Sequence, residues 1–116
     1  MTWIVVLFLV AHGLVHLGMW CTPFDPAKAP FDPRRSWIAV RLGLEKAARR
    51  FSVAFAVGAA VAFVAAGIAV MVGAAWAPAA AVTGAVISLM LTALYFHRWL
   101  MLNLLINAVI IAVALQ

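Results

Sequence analysis

From Ser52 to Ala75 the chain runs for 24 residues without a charged side chain, which a water-soluble fold has little room for. A helix advances about 1.5 Å per residue, so roughly 20 apolar residues cross the roughly 30 Å hydrocarbon layer of a bilayer. Three more stretches share this character, at about residues 3–20, 79–96 and 100–115. The last is the shortest and ends at the interface. The predicted fold is all-α, an integral membrane four-helix bundle forming one domain over residues 1–116, with an amphipathic interfacial helix between the first and second transmembrane helices.

Composition supports this reading. Apolar residues make up 69% of the chain and charged residues 9%, against about 45–50% and about 25% in ordinary soluble domains. The net charge of +5 does not point to nucleic acid, because seven of the eight Lys and Arg residues lie between Lys28 and Arg50. A basic segment beside apolar spans suits a membrane face instead. The single cysteine, Cys21, excludes an intrachain disulfide and a cysteine-only metal site. No basic stretch precedes the first apolar run, and Gly18-Met19-Trp20 is too bulky for a cleavage site, so residues 1–20 are read as a mature helix.

The connections set the topology. Gly73 to Pro78 breaks the second span from the third, since proline cannot continue the helical ladder. His97-Arg98-Trp99 is the short hairpin before the fourth span. Residues 21–36 carry Phe24-Asp25-Pro26 and Phe31-Asp32-Pro33, with Pro23 and Pro30, and are expected to be extended or turned. Ser36 then caps a helix with Trp37, Val40, Leu44, Ala47 or Ala48 and Phe51 on one side. That helix lies on the membrane surface, or else extends the second span into water. Placing residues 21–51 and Arg98 on one side gathers all eight basic residues there, which the positive-inside rule makes cytoplasmic. Both termini and Trp76 then face out. Trp3 and Trp76 mark the outer interface, and Trp20, Trp37 and Trp99 the inner one.

Polar residues within the spans are few: His12 and His16, then Thr83, Ser88 and Thr92, then Asn103 and Asn107. Three of these sets hold a pair at i, i+4, which shares one helical face. Counting from Trp20, Phe96 and Trp99, the sets match in depth, so they are expected to converge inside the bundle. The second span has no such group and is predicted to face lipid more broadly, packing through Gly58, Gly67 and its alanines. One reading makes the cluster His12, His16, Ser88, Thr92, Asn103 and Asn107 an adhesive between helices, contributing about 0.6 to 2 kcal/mol per contact. The other makes His12 and His16 a ligand, proton or metal site, since two histidines one turn apart can reach one ion. A haem would need a second helix, where only His97 is offered, and a proton relay or quinone pocket is a further version. No phosphate-binding glycine loop, HExxH motif, nucleophile elbow or acid within a span occurs, so no catalytic residue is assigned. Asp25, Asp32 and Glu45 fall in the basic loop, where pairing with arginine is expected.

The run His12-Gly13-Leu14-Val15-His16-Leu17-Gly18 resembles the first helix of small four-helix bacterial membrane proteins of uncharacterised function, common in actinobacteria, which open with HGL-x-H. Phe31-Asp32-Pro33, Ser36-Trp37 and a late asparagine also look like that group. The resemblance implies a multi-pass protein of the bacterial plasma membrane and supplies no activity. The His12-Gly13 pair is also similar to the first helix of the DoxX family of redox-associated four-helix proteins, although the loop here lacks a glycine-rich turn.

The expected function is therefore that of a non-enzymatic accessory or structural subunit in a larger membrane assembly, with no cofactor. Arg34, Arg35, Arg41, Lys46, Arg49 and Arg50 offer a docking face for anionic lipid or an acidic partner. The alternative is a redox-, metal- or haem-linked membrane protein using His12 and His16. A third option is a homo-oligomer packed through Gly58, Ala62, Ala65 and Ala69.

Overall fold

The computed structural model describes residues 1–23, 25, 27, 32 and 35–116. Its elements are α1 (Thr2–Trp20), α2 (Trp37–Leu42), α3 (Glu45–Met71), α4 (Ala77–Leu94) and α5 (Met101–Ala114), with a 3-10 turn at Arg98–Leu100. No strand occurs among the described residues. Helices α1, α3 and α4 are long and apolar enough to cross a membrane, and the apolar segment Arg98–Ala114 is shorter. The bundle measures 44 × 27 × 21 Å. Its long axis matches the roughly 40–45 Å of a bilayer with headgroups.

Sustained packing follows chain order, α1 on α3, α3 on α4 and α4 on α5. Helices α3 and α4 are thus the inner elements, and on α3 Ala56, Ala59, Phe63, Ala66 and Ala69 are fully enclosed. This corrects the expectation that the second span faces lipid broadly. Hydrocarbon gives no reason to bury polar helices ahead of apolar ones; close packing decides, and alanines let two neighbours approach one backbone at once. Of the face Gly58, Ala62, Ala65 and Ala69, the middle two are partly exposed and the outer two meet the bundle. Ala69 is buried, and a Cβ on Gly58 would stand 3.8 Å from the Ile87 side chain of α4.

Phe63 occupies the centre and requires glycine on both sides. A Cβ on Gly13 of α1 would lie 2.9 Å from Phe63 Cβ and 3.1 Å from the Ala60 carbonyl oxygen, and one on Gly84 of α4 would lie 3.1 Å from the Phe63 ring. Those two glycines, together with Gly67 of α3, where a Cβ would lie 2.8 Å from the Val10 side chain, set how closely α1 and α4 approach α3, and the expected packing through Gly67 is found.

The amphipathic helix expected over 37–51 is split. Gly43 takes the left-handed conformation (φ 68) and ends α2, its N–H bonding back to the last turn, and Leu44 N–H reaches the Ala39 carbonyl at 2.8 Å. Such a glycine cap is a common helix terminator. From Glu45 the chain is one helix with the second span, so α2 matches the surface-helix reading and residues 45–51 the helical-extension reading. Glycine again makes the break after the second span: Gly73 (φ 67) follows Met71, with Ala74 N–H on the Ala69 carbonyl at 2.8 Å. Pro78 does not stop a helix; it sits in the first turn of α4, where its missing N–H costs nothing.

The connector end is latched to the bundle. Ser36 caps α2, and its hydroxyl donates to the Leu94 carbonyl at 2.6 Å while Trp37 Nε1 donates to the Ala93 carbonyl at 2.6 Å. Both satisfy carbonyls that the end of α4 leaves without helical partners. The Tyr95 hydroxyl donates to the Ala48 carbonyl. Trp20 is no interfacial marker, because it is 2% exposed and meets Tyr95 edge to face at 5.5 Å; Trp3, Trp37, Trp76 and Trp99 are exposed. Cys21 is free and packs on the same apolar cluster. Most of Phe24-Asp25-Pro26 and Phe31-Asp32-Pro33 lies outside the described residues, as does Arg34. Asp25 accepts a turn hydrogen bond from Ala27 N–H at 3.0 Å.

Candidate functional site

Two apolar clusters lie along the bundle. One, at the connector end, holds Trp20, Ala48, Ala56, Leu91, Tyr95 and Leu100; the other holds Leu9, Ala59, Phe63, Ala81, Ala85 and Ile110. On α1 and α5 the polar residues fall between these two sets in the sequence, and on α4 they lie between Ala85 and Tyr95. The six residues anticipated as an intramembrane cluster meet there in one hydrogen-bonded layer. Only Asn103 is more than marginally exposed.

The bonding directions follow from which atoms can only accept. His16 Nδ1 stands 2.8 Å from the His12 carbonyl oxygen, so Nδ1 carries a proton. His16 Nε2 lies 2.6 Å from Ser88 Oγ. Ser88 Oγ also receives the Asn103 amide at 3.1 Å and the Asn107 amide at 2.9 Å. A hydroxyl has one proton and two lone pairs. Both lone pairs are taken, so the Ser88 proton goes to His16 Nε2 and the His16 ring is neutral. Ser88 is thereby saturated and joins α1, α4 and α5.

The remaining groups close the layer. The second Asn103 amide proton goes to Thr92 Oγ1 at 2.9 Å, and the Thr92 hydroxyl donates to the Ser88 carbonyl at 3.0 Å. The other Asn107 amide proton is shared between the Asn103 carbonyl at 2.7 Å and Asn103 Oδ1 at 3.1 Å. Asn107 Oδ1 accepts from His12 Nε2 across 3.4 Å, the longest link in the set. His12 is otherwise held by rings, with Phe8 stacked at 5.8 Å and Phe63 and His16 edge-on at 4.8 and 5.0 Å. Thr83 takes no part; it is exposed and donates to the Ala79 carbonyl one turn back at 2.8 Å.

The arrangement bears on ligand chemistry. An ion bound at His16 Nε2 must first displace the Ser88 hydroxyl, which takes one of the acceptors from each of two amides. Among the described residues no group of three or more His, Cys, Asp or Glu gathers as a metal site. His97 lies apart, capping the 3-10 turn by accepting from Trp99 N–H at 3.2 Å. The cations of the expected docking face separate as well: Arg35, Arg41, Lys46 and Arg50 are exposed, whereas Arg49 turns inward. It donates to the Thr22 carbonyl at 2.8 Å and keeps its other terminal nitrogen buried without a hydrogen bond.

Beyond His12, away from the connector, α1 and α5 part around a cavity of about 370 Å³. Ile4, Val5 and Phe8 line one side and Val109, Ile110 and Val113 the other, all apolar. The roles of Gly13, Gly84 and Phe63 were not anticipated from sequence, although Gly13 stands inside the His12 to His16 turn where the closest approach occurs. No protein-family model, curated protein or solved structure matches the chain.

Proposed function

We propose that this chain is a non-enzymatic, multi-pass membrane protein that serves as a small accessory or structural subunit of a larger membrane assembly. The observation that supports this reading is the saturation of the polar layer. Ser88 spends its proton and both lone pairs within the protein, as a group used for cohesion does. Buried polar groups in hydrocarbon are stable when satisfied and costly when not, so a closed network favours a fixed bundle over one that must reopen for each turnover. In this reading Arg98–Ala114 is a fourth crossing, its turn and helix reaching roughly 27 Å. The termini face outward, and the basic connector lies in the cytoplasm of a bacterium and offers a docking face. The likeness of the His12 to Gly18 run to uncharacterised bacterial four-helix proteins accords with it.

Gentle purification of the tagged chain from its native membrane tests the proposal. Stoichiometric membrane partners in a colourless, metal-free sample support it. Bound haem or metal, seen by visible absorption and elemental analysis and lost on His16→Ala, would replace it with the redox- or metal-linked reading. Cross-links between copies alone would make the assembly a homo-oligomer.

A further inference from the structure

We propose that the elbow of α2 and the start of α3 is a binding face for the headgroups of anionic phospholipids, with Arg41, Lys46 and Arg50 as its cations. The proposal rests on the membrane-spanning reading and adds a ligand class to it.

The level of this face is set by hydrogen bonds. Trp37 Nε1 and the Ser36 hydroxyl reach the Ala93 and Leu94 carbonyls at 2.6 Å each, so the elbow is tied to the last turn of α4, where that apolar helix ends. Trp37 nonetheless leaves 53% of its surface open, and Val40 and Phe51 are exposed to similar extents. Exposed aromatic and aliphatic groups at the end of a span belong at the boundary of acyl chain and headgroup, where an indole keeps its ring in hydrocarbon and its N–H on an acceptor.

The cations belong to the same elbow and are unspent. The Arg41 guanidinium lies 5.9 Å from the Trp37 ring, a contact that leaves its N–H fork free to receive phosphate oxygens. Lys46 and Arg50 are one turn apart on α3 and exposed, their stems long enough to snorkel towards headgroups. No hydrogen bond or ion pair among the described residues engages these three. Arg49 shows the contrast, since it is drawn in to the Thr22 carbonyl. Glu45 is the one acid on α2 and α3. A face of three open cations interleaved with apolar groups is complementary to an anionic lipid surface, and each cation held there is worth about a fivefold preference.

The test uses the full chain in nanodiscs of phosphatidylcholine with a minor fraction of phosphatidylglycerol, released into the gas phase for native mass spectrometry. The wild type is expected to retain phosphatidylglycerol over phosphatidylcholine. R41Q/K46Q/R50Q is expected to lose that preference at least tenfold, and the charge-keeping R41K/K46R/R50K to retain most of it. Equal retention of both lipids by the wild type, or an undiminished preference in the glutamine variant, overturns the proposal. So does finding the three cations cross-linked to an acidic protein in native membranes. Extraction with alkaline carbonate separates the two levels of failure: a chain that stays in the bilayer yet ignores lipid charge defeats this proposal alone, whereas one that washes off defeats the reading beneath it.

Discussion

In the half of the bundle nearer the connector, α1, α4 and α5 are joined through Ser88, Asn103 and Asn107, and the loop is pinned to the end of α4 by Ser36 and Trp37. At the far end α1 and α5 separate around an apolar cavity of about 370 Å³, with the His12 to Asn107 contact at 3.4 Å marking where the seam begins. Both ends consist of apolar helices in the same order, so hydrophobicity does not account for the difference. In lipid, two oily surfaces gain little by leaving hydrocarbon for each other, and polar groups and close-fitting small residues decide where helices hold together. Small residues fit closely along α3 at both ends, with Gly67 meeting Val10 at the far one, whereas the polar groups that join α1 to α5 lie only towards the connector.

Substitutions at the two ends therefore differ in cost. The largest effect is expected from Ser88→Ala, which leaves His16 Nε2 and one proton on each of two asparagine amides without a partner. A loss of about 2–4 kcal/mol in unfolding stability, read by denaturant titration in detergent, is expected; a loss below about 0.5 kcal/mol would show that the layer does not hold the bundle. Gly13→Ala places a Cβ 2.9 Å from Phe63 and 3.1 Å from a backbone oxygen, and separating α1 from α3 should cost about 1–3 kcal/mol. Gly18→Ala on the same helix meets nothing within 4 Å, so it should be neutral or slightly stabilising; equal losses at the two positions would remove the close-approach argument. Trp37→Phe, which frees one carbonyl of α4, should cost about 0.5–1.5 kcal/mol and raise hydrogen exchange in residues 36–42. The smallest effect is expected at the far end, where Ala114→Leu fills cavity space with groups that lipid solvates equally well, changing stability by less than about 0.5 kcal/mol. A large gain there would mean that the seam is a packing defect that filling repairs.

Much of this was legible in the sequence because hydrocarbon makes polar residues conspicuous. The i, i+4 pairs and the matched depth counts brought His12, His16, Ser88, Thr92, Asn103 and Asn107 together before any coordinates, and Ser36 announced the start of α2. What escaped is packing. Nothing in residues 53–71 of α3 distinguishes an alanine-rich helix at the centre from one at the lipid boundary, since both are apolar; the answer lay in Gly67 and in glycines on its neighbours, Gly13 and Gly84, whose fit to Val10 and Phe63 appears only in three dimensions. Trp20 was misplaced for a related reason, as a tryptophan at a helix end reads as interfacial until Tyr95 is seen to cover it. Arg49 and Arg50 are adjacent and chemically alike, but successive helical residues point about 100° apart, and Arg49 is on the side that meets the Thr22 carbonyl.

The tautomer of His16 tests the account most directly. In histidine-labelled protein reconstituted into bilayers, ¹⁵N magnetic resonance should show a neutral ring with its proton on Nδ1 and Nε2 shifted by an accepted hydrogen bond, unchanged on adding divalent metal and altered by Ser88→Ala. A ring protonated on Nε2 in the metal-free wild type, or an Nε2 signal that moves when metal is added, would contradict a closed layer centred on Ser88.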